Sequence, residues 1–209
     1  MFINEIAANL LKRYQIHQST ERLFIVGIDG LGGTGKTTLA KTLYDHLNMQ
    51  NYEVSLIHLD DYIVARDRRY RTGEPDWYEY YYLQWDIEVL KEDLFFKLYR
   101  NDSKLSLPYY DKENDIITAQ KMTINPKSII FIEGVFLQRT EWRKYFDYVI
   151  YIDCPDELRK ERVLNRDVYI GSYKARLKKY KIRYWLGEEH YLKILDPKKY
   201  ADEIVDVIR

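Results

Sequence analysis

Residues 27–38 read Gly-Ile-Asp-Gly-Leu-Gly-Gly-Thr-Gly-Lys-Thr-Thr, and no other stretch restricts the fold as tightly. Gly30 to Thr37 fit the pattern of glycine, four residues, then Gly-Lys-Thr, with an apolar run before them and the helical period of TTLAKTL after them. Strand, tight turn and helix form the context in which this motif cradles phosphate. Gly30, Gly33 and Gly35 allow positive φ, which turns backbone N–H groups toward phosphate oxygens. A helix starting near Lys36 presents its positive end to the same anion. The expected nucleotide-binding residues are Gly30, Gly32, Gly33, Thr34, Gly35, Lys36, Thr37 and Thr38. Lys36 is expected to reach the β and γ phosphates, and the Thr37 hydroxyl to ligate Mg²⁺.

The loop does not say whether a phosphoryl group passes to water or to an acceptor. Apolar runs at 23–29, 54–60, 128–134 and 148–154 read as buried strands, and a short last strand is expected within 201–209. Segments of helical period lie between them, including 85–99. Alternating strands and helices predict an α/β fold, a mostly parallel sheet flanked by helices in three layers. At 209 residues the chain is long enough to bury roughly 70% of its unfolded surface as one domain. No repeat or linker divides it, so 1–209 is read as a single unit. Two insertions are expected near the ligand end of the sheet, at about 62–84 and 104–120, with a lid region at about 166–183.

Composition removes several function classes. Lys plus Arg and Asp plus Glu are both 33, so no net field draws the chain to nucleic acid or to an anionic membrane. The single cysteine, Cys154, excludes an internal disulfide and a cysteine-built zinc site, and fits a reducing compartment. The N-terminal segment 1–20 carries Phe2, Ile3, Ile6, Leu10 and Leu11 interrupted by Glu5 and Lys12, which predicts an amphipathic helix rather than a signal peptide or a membrane span. A soluble cytoplasmic protein is expected.

Three carboxylates stand where chemistry is expected. His-Leu-Asp-Asp-Tyr puts Asp60 and Asp61 at the end of the second strand, beside the loop, and of the pair Asp60 is expected to face the γ phosphate and to serve an acceptor hydroxyl. Glu133 ends the third apolar run and is suited to hold Mg²⁺ or a water bound to it. Asp86, before the helical segment, can act as an N-cap or accept hydrogen bonds from two ribose hydroxyls.

The set GIDGLGGTGKTTLA, HLDDY, QWDIEVL, LPYYD, FIEGVF, DCPDELRKERVLNRD and DPKKYAD resembles the uridine kinase-like P-loop kinases, among them uridine-cytidine, nicotinamide riboside and phosphoribulose kinases. The resemblance implies an ATP-dependent, Mg²⁺-requiring kinase for a small acceptor, nucleoside-like in class, with a homo-oligomer compatible with it. It implies that Asp60 takes the proton from a primary hydroxyl and stands near the metal, that Asp86 binds ribose, and that Tyr110 lies by the base. Glu133 then matches the acid near Mg²⁺. Arg159, Arg162 and Arg166 match arginines on the phosphate side, Arg162 with a catalytic part and Arg166 reaching the acceptor. The sequence departs from uridine kinases at Asp115, where they carry a histidine, and at Ile63, where they carry a tyrosine.

Lys174, Arg176 and Arg183 are open between lid cations and a solvated helix face. The Tyr- and Arg-rich stretch 66–82 is open between core packing, walls of an acceptor pocket and stacking on nucleic acid, with packing favoured. The alternative to a kinase is an ATPase module acting with a protein partner. A GTPase is not expected, because no Asn-Lys-x-Asp element occurs.

Overall fold

In the computed structural model, which describes residues 3–20 and 22–207, five parallel strands form the central sheet. They are β1 (Phe24–Gly30), β2 (Val54–His58), β5 (Ile129–Glu133), β6 (Tyr148–Asp153) and β7 (Glu203–Asp206), in the order β2-β5-β1-β6-β7. A separate antiparallel pair joins β3 (Lys104–Asp111) to β4 (Ile116–Thr123). Phe2 and the last two residues of the expected 201–209 strand segment lie outside the described residues.

The central strand β1 is buried along its whole length, as expected of an apolar run covered on both faces. Phe24, Val26 and Ile28 point to one face, where α1 (Ile3–His17) packs Ile6 and Leu10 and α2 (Lys36–Met49) packs Ala40, Leu43 and Leu47. Ile25 points to the other face, into a core of Trp85, Phe95, Phe136 and Trp142. A Cβ at Gly27 would stand 3.0 Å from the Phe146 ring, so glycine lets that ring lie flat on the strand.

The remaining helices lie after β2, before the hairpin and after β6 in the chain. After β2 come a short 3₁₀ turn (Leu59–Tyr62), α3 (Arg66–Arg69) and α4 (Asp76–Tyr82). The predicted helix at 85–99 forms as α5 (Ile87–Leu90), a π-helical turn (Lys91–Phe96) and α6 (Lys97–Tyr99). After β6 follow α7 (Asp156–Arg166), α8 (Tyr173–Lys179), a π-helical turn (Tyr180–Tyr184), α9 (Trp185–Leu195) and α10 (Pro197–Tyr200).

The segment expected as an insertion at 104–120 takes a definite form, and the expectation for Arg183 is corrected. The segment at 104–120 is a β-hairpin, with Lys104 opposite Thr123 and Asp111 opposite Ile116. Its turn is set by Asp111, whose Oδ1 accepts from the backbone of Glu113 and Asn114, and by Asp115 with φ 56°. Arg183 is neither a lid cation nor part of a solvated face. It is buried, donating to Glu79 Oε2 (2.8 Å) and to the carbonyl of Arg69 (2.9 Å), with its guanidinium over the Tyr70 ring. Glu79 also accepts from the backbone and hydroxyl of Thr72, so this pair fastens the 66–82 segment to the helices beyond α8.

Tyr80 and Tyr81 pack edge-on against Phe136, with centroids 5.1 and 5.0 Å away, as the packing alternative expects.

One buried carboxylate ties the base of the phosphate loop to the rest. Asp29, with no solvent exposure, accepts from Tyr191 Oη (2.5 Å), Gln138 Nε2 (3.1 Å) and the backbone of Gly30 (2.8 Å). Burial nevertheless pushes its carboxyl above the ordinary value, against those donors and the charge of Lys36. Asp29→Ala strands the Tyr191 and Gln138 donors. The expected destabilisation is about 1–3 kcal/mol in urea unfolding, and an unchanged midpoint would contradict the role given to this contact.

Candidate active site

The phosphate loop joins β1 to α2, which begins at Lys36 as expected. Gly33 has φ 81°, and a Cβ there would stand 2.5 Å from the carbonyl of Arg159 and 2.8 Å from Val163. Glycine at this position therefore serves both the turn and the close approach of α7. The loop is held by Glu188 on α9, whose Oε1 accepts from the backbone N–H of Gly32 (2.7 Å) and whose Oε2 accepts from Arg159 Nη1 (2.6 Å). Both members of this ion pair are buried. Arg159 therefore belongs to the frame beneath the loop and not to a face lining the phosphates.

Lys36 folds back, its Nζ donating to the carbonyl of Leu31 (2.9 Å). Burial lowers its pKa, while Glu133, Asp60, Asp29 and Glu188 oppose that shift. Thr37 Oγ1 donates to Glu133 Oε1 (3.0 Å), and His58 Nδ1 lies 2.7 Å from the same oxygen. Burial pushes Glu133 up, but His58, Lys36 and Thr37 outweigh it and leave the carboxyl below its ordinary value. His58 was not singled out by the sequence, because only the β2–β5 register, which sets it opposite Glu133, reveals the pair.

Asp60 sits in the 3₁₀ turn after β2 and lines a cavity of about 790 Å³ together with Lys36, Thr37, Glu133, Tyr110 and Arg166. Its side chain is exposed to the cavity, with the cavity walls around it. Desolvation by those walls, followed by the charge of Glu133, raises its pKa against Lys36 and Lys112. Asp61 does not line this cavity. Tyr110 is buried, its hydroxyl donating to Asp115 Oδ1 (2.9 Å), which also accepts from the backbone of Arg66. Asp115 thus holds a cavity wall in place.

Two predicted residues sit elsewhere. Asp86 does not line the cavity. It caps α5 by accepting from the backbone of Val89 (3.3 Å) and pairs with Arg68 (3.1 Å), so the N-cap alternative is the one formed. Arg162 is exposed, with Nη1 3.4 Å from the carbonyl of Gly33. It lines a second groove of about 1070 Å³ on the other side of the loop, with Thr34, Gly35, Thr38 and Asn165. Arg166 borders both spaces and pairs with Asp167 (2.6 Å). Among the lid candidates, Lys174 is exposed and Arg176 donates to Gly171, and neither lines the cavity; Lys179, which the sequence did not single out, does.

Thr37, Asp60 and Glu133 offer the hard oxygen donors that suit Mg²⁺. Among the described residues no group of three or more His, Cys, Asp or Glu side chains could hold a metal alone. That suits an ion that takes one or two carboxylates and completes its shell with phosphate oxygens and water. No helix among the described residues is long and apolar enough to cross a membrane.

Comparison with known proteins agrees with this geometry. The Phosphoribulokinase / Uridine kinase family matches residues 25–209. The chain belongs to this family. The uridine kinase of Staphylococcus haemolyticus (strain JCSC1435) is 30% identical over 187 residues, covering 87% of this chain and 86% of that one. The uridine kinase of Macrococcus caseolyticus (strain JCSC5402) is 31% identical over 150 residues, covering 69% and 68%. A solved structure described as a possible uridine kinase from Bacillus stearothermophilus is 39% identical, with a TM-score of 0.76 over 95% of this chain and 100% of that one. Like other members of the family, the protein is a P-loop kinase, a phosphotransferase that takes phosphate from ATP to an alcohol group. None of these matches supports the ATPase-module alternative.

The frame beneath the loop gives a stability test. Glu188→Ala removes the buried carboxylate from Arg159, which keeps only the exposed Asp156 (2.7 Å), and should destabilise the fold by about 1–3 kcal/mol. Glu188→Leu combined with Arg159→Met should recover part of that loss in the same denaturation measurement. Equal stability of Glu188→Ala and the parent would contradict the buried pair.

Proposed function

We propose that this kinase transfers the γ-phosphoryl of ATP to a primary hydroxyl of a nucleoside or nucleoside-like acceptor, with Asp60 as the general base. The observation that carries the reading is that Asp60 shares one cavity with Lys36, Thr37 and Glu133 on one side and Tyr110 on the other. Uridine kinases among the relatives favour the nucleoside class. The whole chain acts as one kinase unit, with the acceptor bounded by the segments at 62–84 and 104–120 and by the 166–183 region.

In this scheme the backbone N–H groups of the loop not already taken by Asp29 and Glu188, with the start of α2, bind the donor's phosphates, and Lys36 leaves the Leu31 carbonyl to meet the β and γ oxygens. Thr38 and Arg162 border the groove that accommodates the outer part of the donor. Thr37, Glu133 and Asp60 are the residues that would hold Mg²⁺, which when bound would supply neutralisation of the phosphates' charge. Asp60 accepts the acceptor's hydroxyl proton as that oxygen bonds to the γ phosphorus. The bond from phosphorus to the β–γ bridging oxygen breaks, and ADP leaves with the electron pair. Arg166 steadies the departing charge from the border of the two spaces.

Asp60→Asn keeps the shape and removes the base. ATP affinity should stay within a few-fold while kcat for acceptor phosphorylation falls by about 10² or more. Undiminished turnover would remove Asp60 from the mechanism. Because the Asp60 pKa is raised, protonation disables the base above the ordinary carboxylate value of 3.8. The profile of kcat/KM should therefore fall on acidification through a limb above that value, and a limb at or below it would contradict the assignment.

A further inference from the structure

Four arginines are buried among the described residues, and three of them face a carboxylate: Arg139 faces Glu141, Arg159 faces Glu188 and Arg183 faces Glu79. The fourth is Arg69, 5% exposed, at the end of α3. Its Nε donates to the carbonyl of Val64 (2.7 Å), and among the described residues no carboxylate oxygen lies within 4.0 Å of its guanidinium. Its outer nitrogens have no protein acceptor, yet they are not sealed from solvent, since Arg69 lines the cavity that holds Asp60. The guanidinium stands between two aromatic rings, with Cζ 4.9 Å from the centroid of Tyr70 and 5.1 Å from that of Tyr110.

A buried guanidinium without an anion is costly, and contacts with two ring faces offset only part of that cost. The planar fork left open matches two oxygens of a carboxylate or a phosphate. Among the described residues, the carboxylate beyond the cavity lining whose charge reaches Arg69 is Asp115, and it is engaged by the Tyr110 hydroxyl and the backbone of Arg66, while the other neighbouring charges are positive. Arg66, Lys112 and Lys179 line the same cavity, and none of them forms an ion pair among the described residues. Tyr70 reports the field. Burial pushes its phenol up, yet Arg183, Lys179 and Arg69, with a hydrogen bond from Tyr184, leave it below the ordinary value. The carboxylates of this cavity other than Asp60 are committed elsewhere: Glu133 to Thr37 and His58, Glu188 to Gly32 and Arg159, and Asp167 to Arg166 and Tyr180.

We propose that the acceptor carries an anionic group, a carboxylate or a phosphate, that docks on the fork of Arg69 while its primary hydroxyl meets Asp60. The inference rests on the cavity being the acceptor site of a nucleoside-type kinase. It makes Arg69 a specificity-determining residue and makes the neutral nucleoside the poorer substrate.

The test compares acceptors that differ in charge and keep the primary hydroxyl: uridine, orotidine, uridine 3′-monophosphate, nicotinamide riboside and nicotinic acid riboside, each with ATP and Mg²⁺. In at least one series the anionic member should exceed its neutral partner in kcat/KM by about tenfold or more, the worth of one charge-assisted contact. A preference for orotidine or nicotinic acid riboside identifies a carboxylate, and a preference for the 3′-monophosphate identifies a phosphate. Neutral members used equally well or better would overturn the inference and leave the nucleoside kinase standing. Phosphorylation of none of them would overturn the nucleoside reading and the inference with it. In Arg69→Gln the preference should vanish with kcat/KM for the neutral member changed little, and Arg69→Lys should restore part of it. An equal loss for neutral and anionic acceptors in Arg69→Gln would show that Arg69 acts on the transferring phosphoryl or on the fold, contrary to the proposal.

Discussion

The backbone N–H of Gly32 is held by a buried carboxylate, Glu188, which is itself held by Arg159, and the whole site is built outward from that contact. A glycine-rich turn is free to adopt many shapes, because its residues lose the most conformational freedom on ordering. Here the turn is fixed by a charge pair reaching it from α7 and α9, and at its base by Asp29, which joins Tyr191 of α9 to Gln138. The loop's remaining N–H groups are thereby presented to one anion without further reorganisation, which is what electrostatic catalysis of phosphoryl transfer requires.

Charge divides the space in front of the loop. Glu133, Asp60, Thr37 and Lys36 gather where β2, β5 and α2 meet, a mixture suited to a metal ion and phosphates. Toward α3 and the hairpin the balance turns positive, with Arg66, Arg69, Lys112 and Lys179. The raised carboxyl of Asp60 stands between the two regions, desolvated yet open to the cavity. A general base whose pKa rises toward the working pH accepts a proton more readily. The same cavity walls that enclose the acceptor thus tune the residue that serves it.

Much of this was legible in the sequence, and the exceptions share a cause. The loop, the parallel strands and Glu133 follow from local pattern, since an apolar run between turns and a fixed glycine spacing carry their own context. Strand β4 escaped because it faces solvent, with only Met122 half-buried, so neither alternation nor an apolar run marks it. Asp86 carries two roles that local sequence cannot separate, and the fold shows the cap and brings Arg68 beside it. Arg183 meets Glu79 across 104 positions, a pairing that no helical periodicity reveals. Arg69 stood in a visible basic stretch, but its significance lies in having no carboxylate, which only the assembled cavity displays.

The central claim is that this cavity brings an alcohol rather than water to the γ phosphorus. Product stoichiometry tests it most directly. With ATP, Mg²⁺ and a saturating acceptor, each ADP formed should be matched by close to one phosphate ester on the acceptor, and little ADP should form when the acceptor is left out. ADP matched by inorganic phosphate, at a rate indifferent to every acceptor offered, would contradict the account.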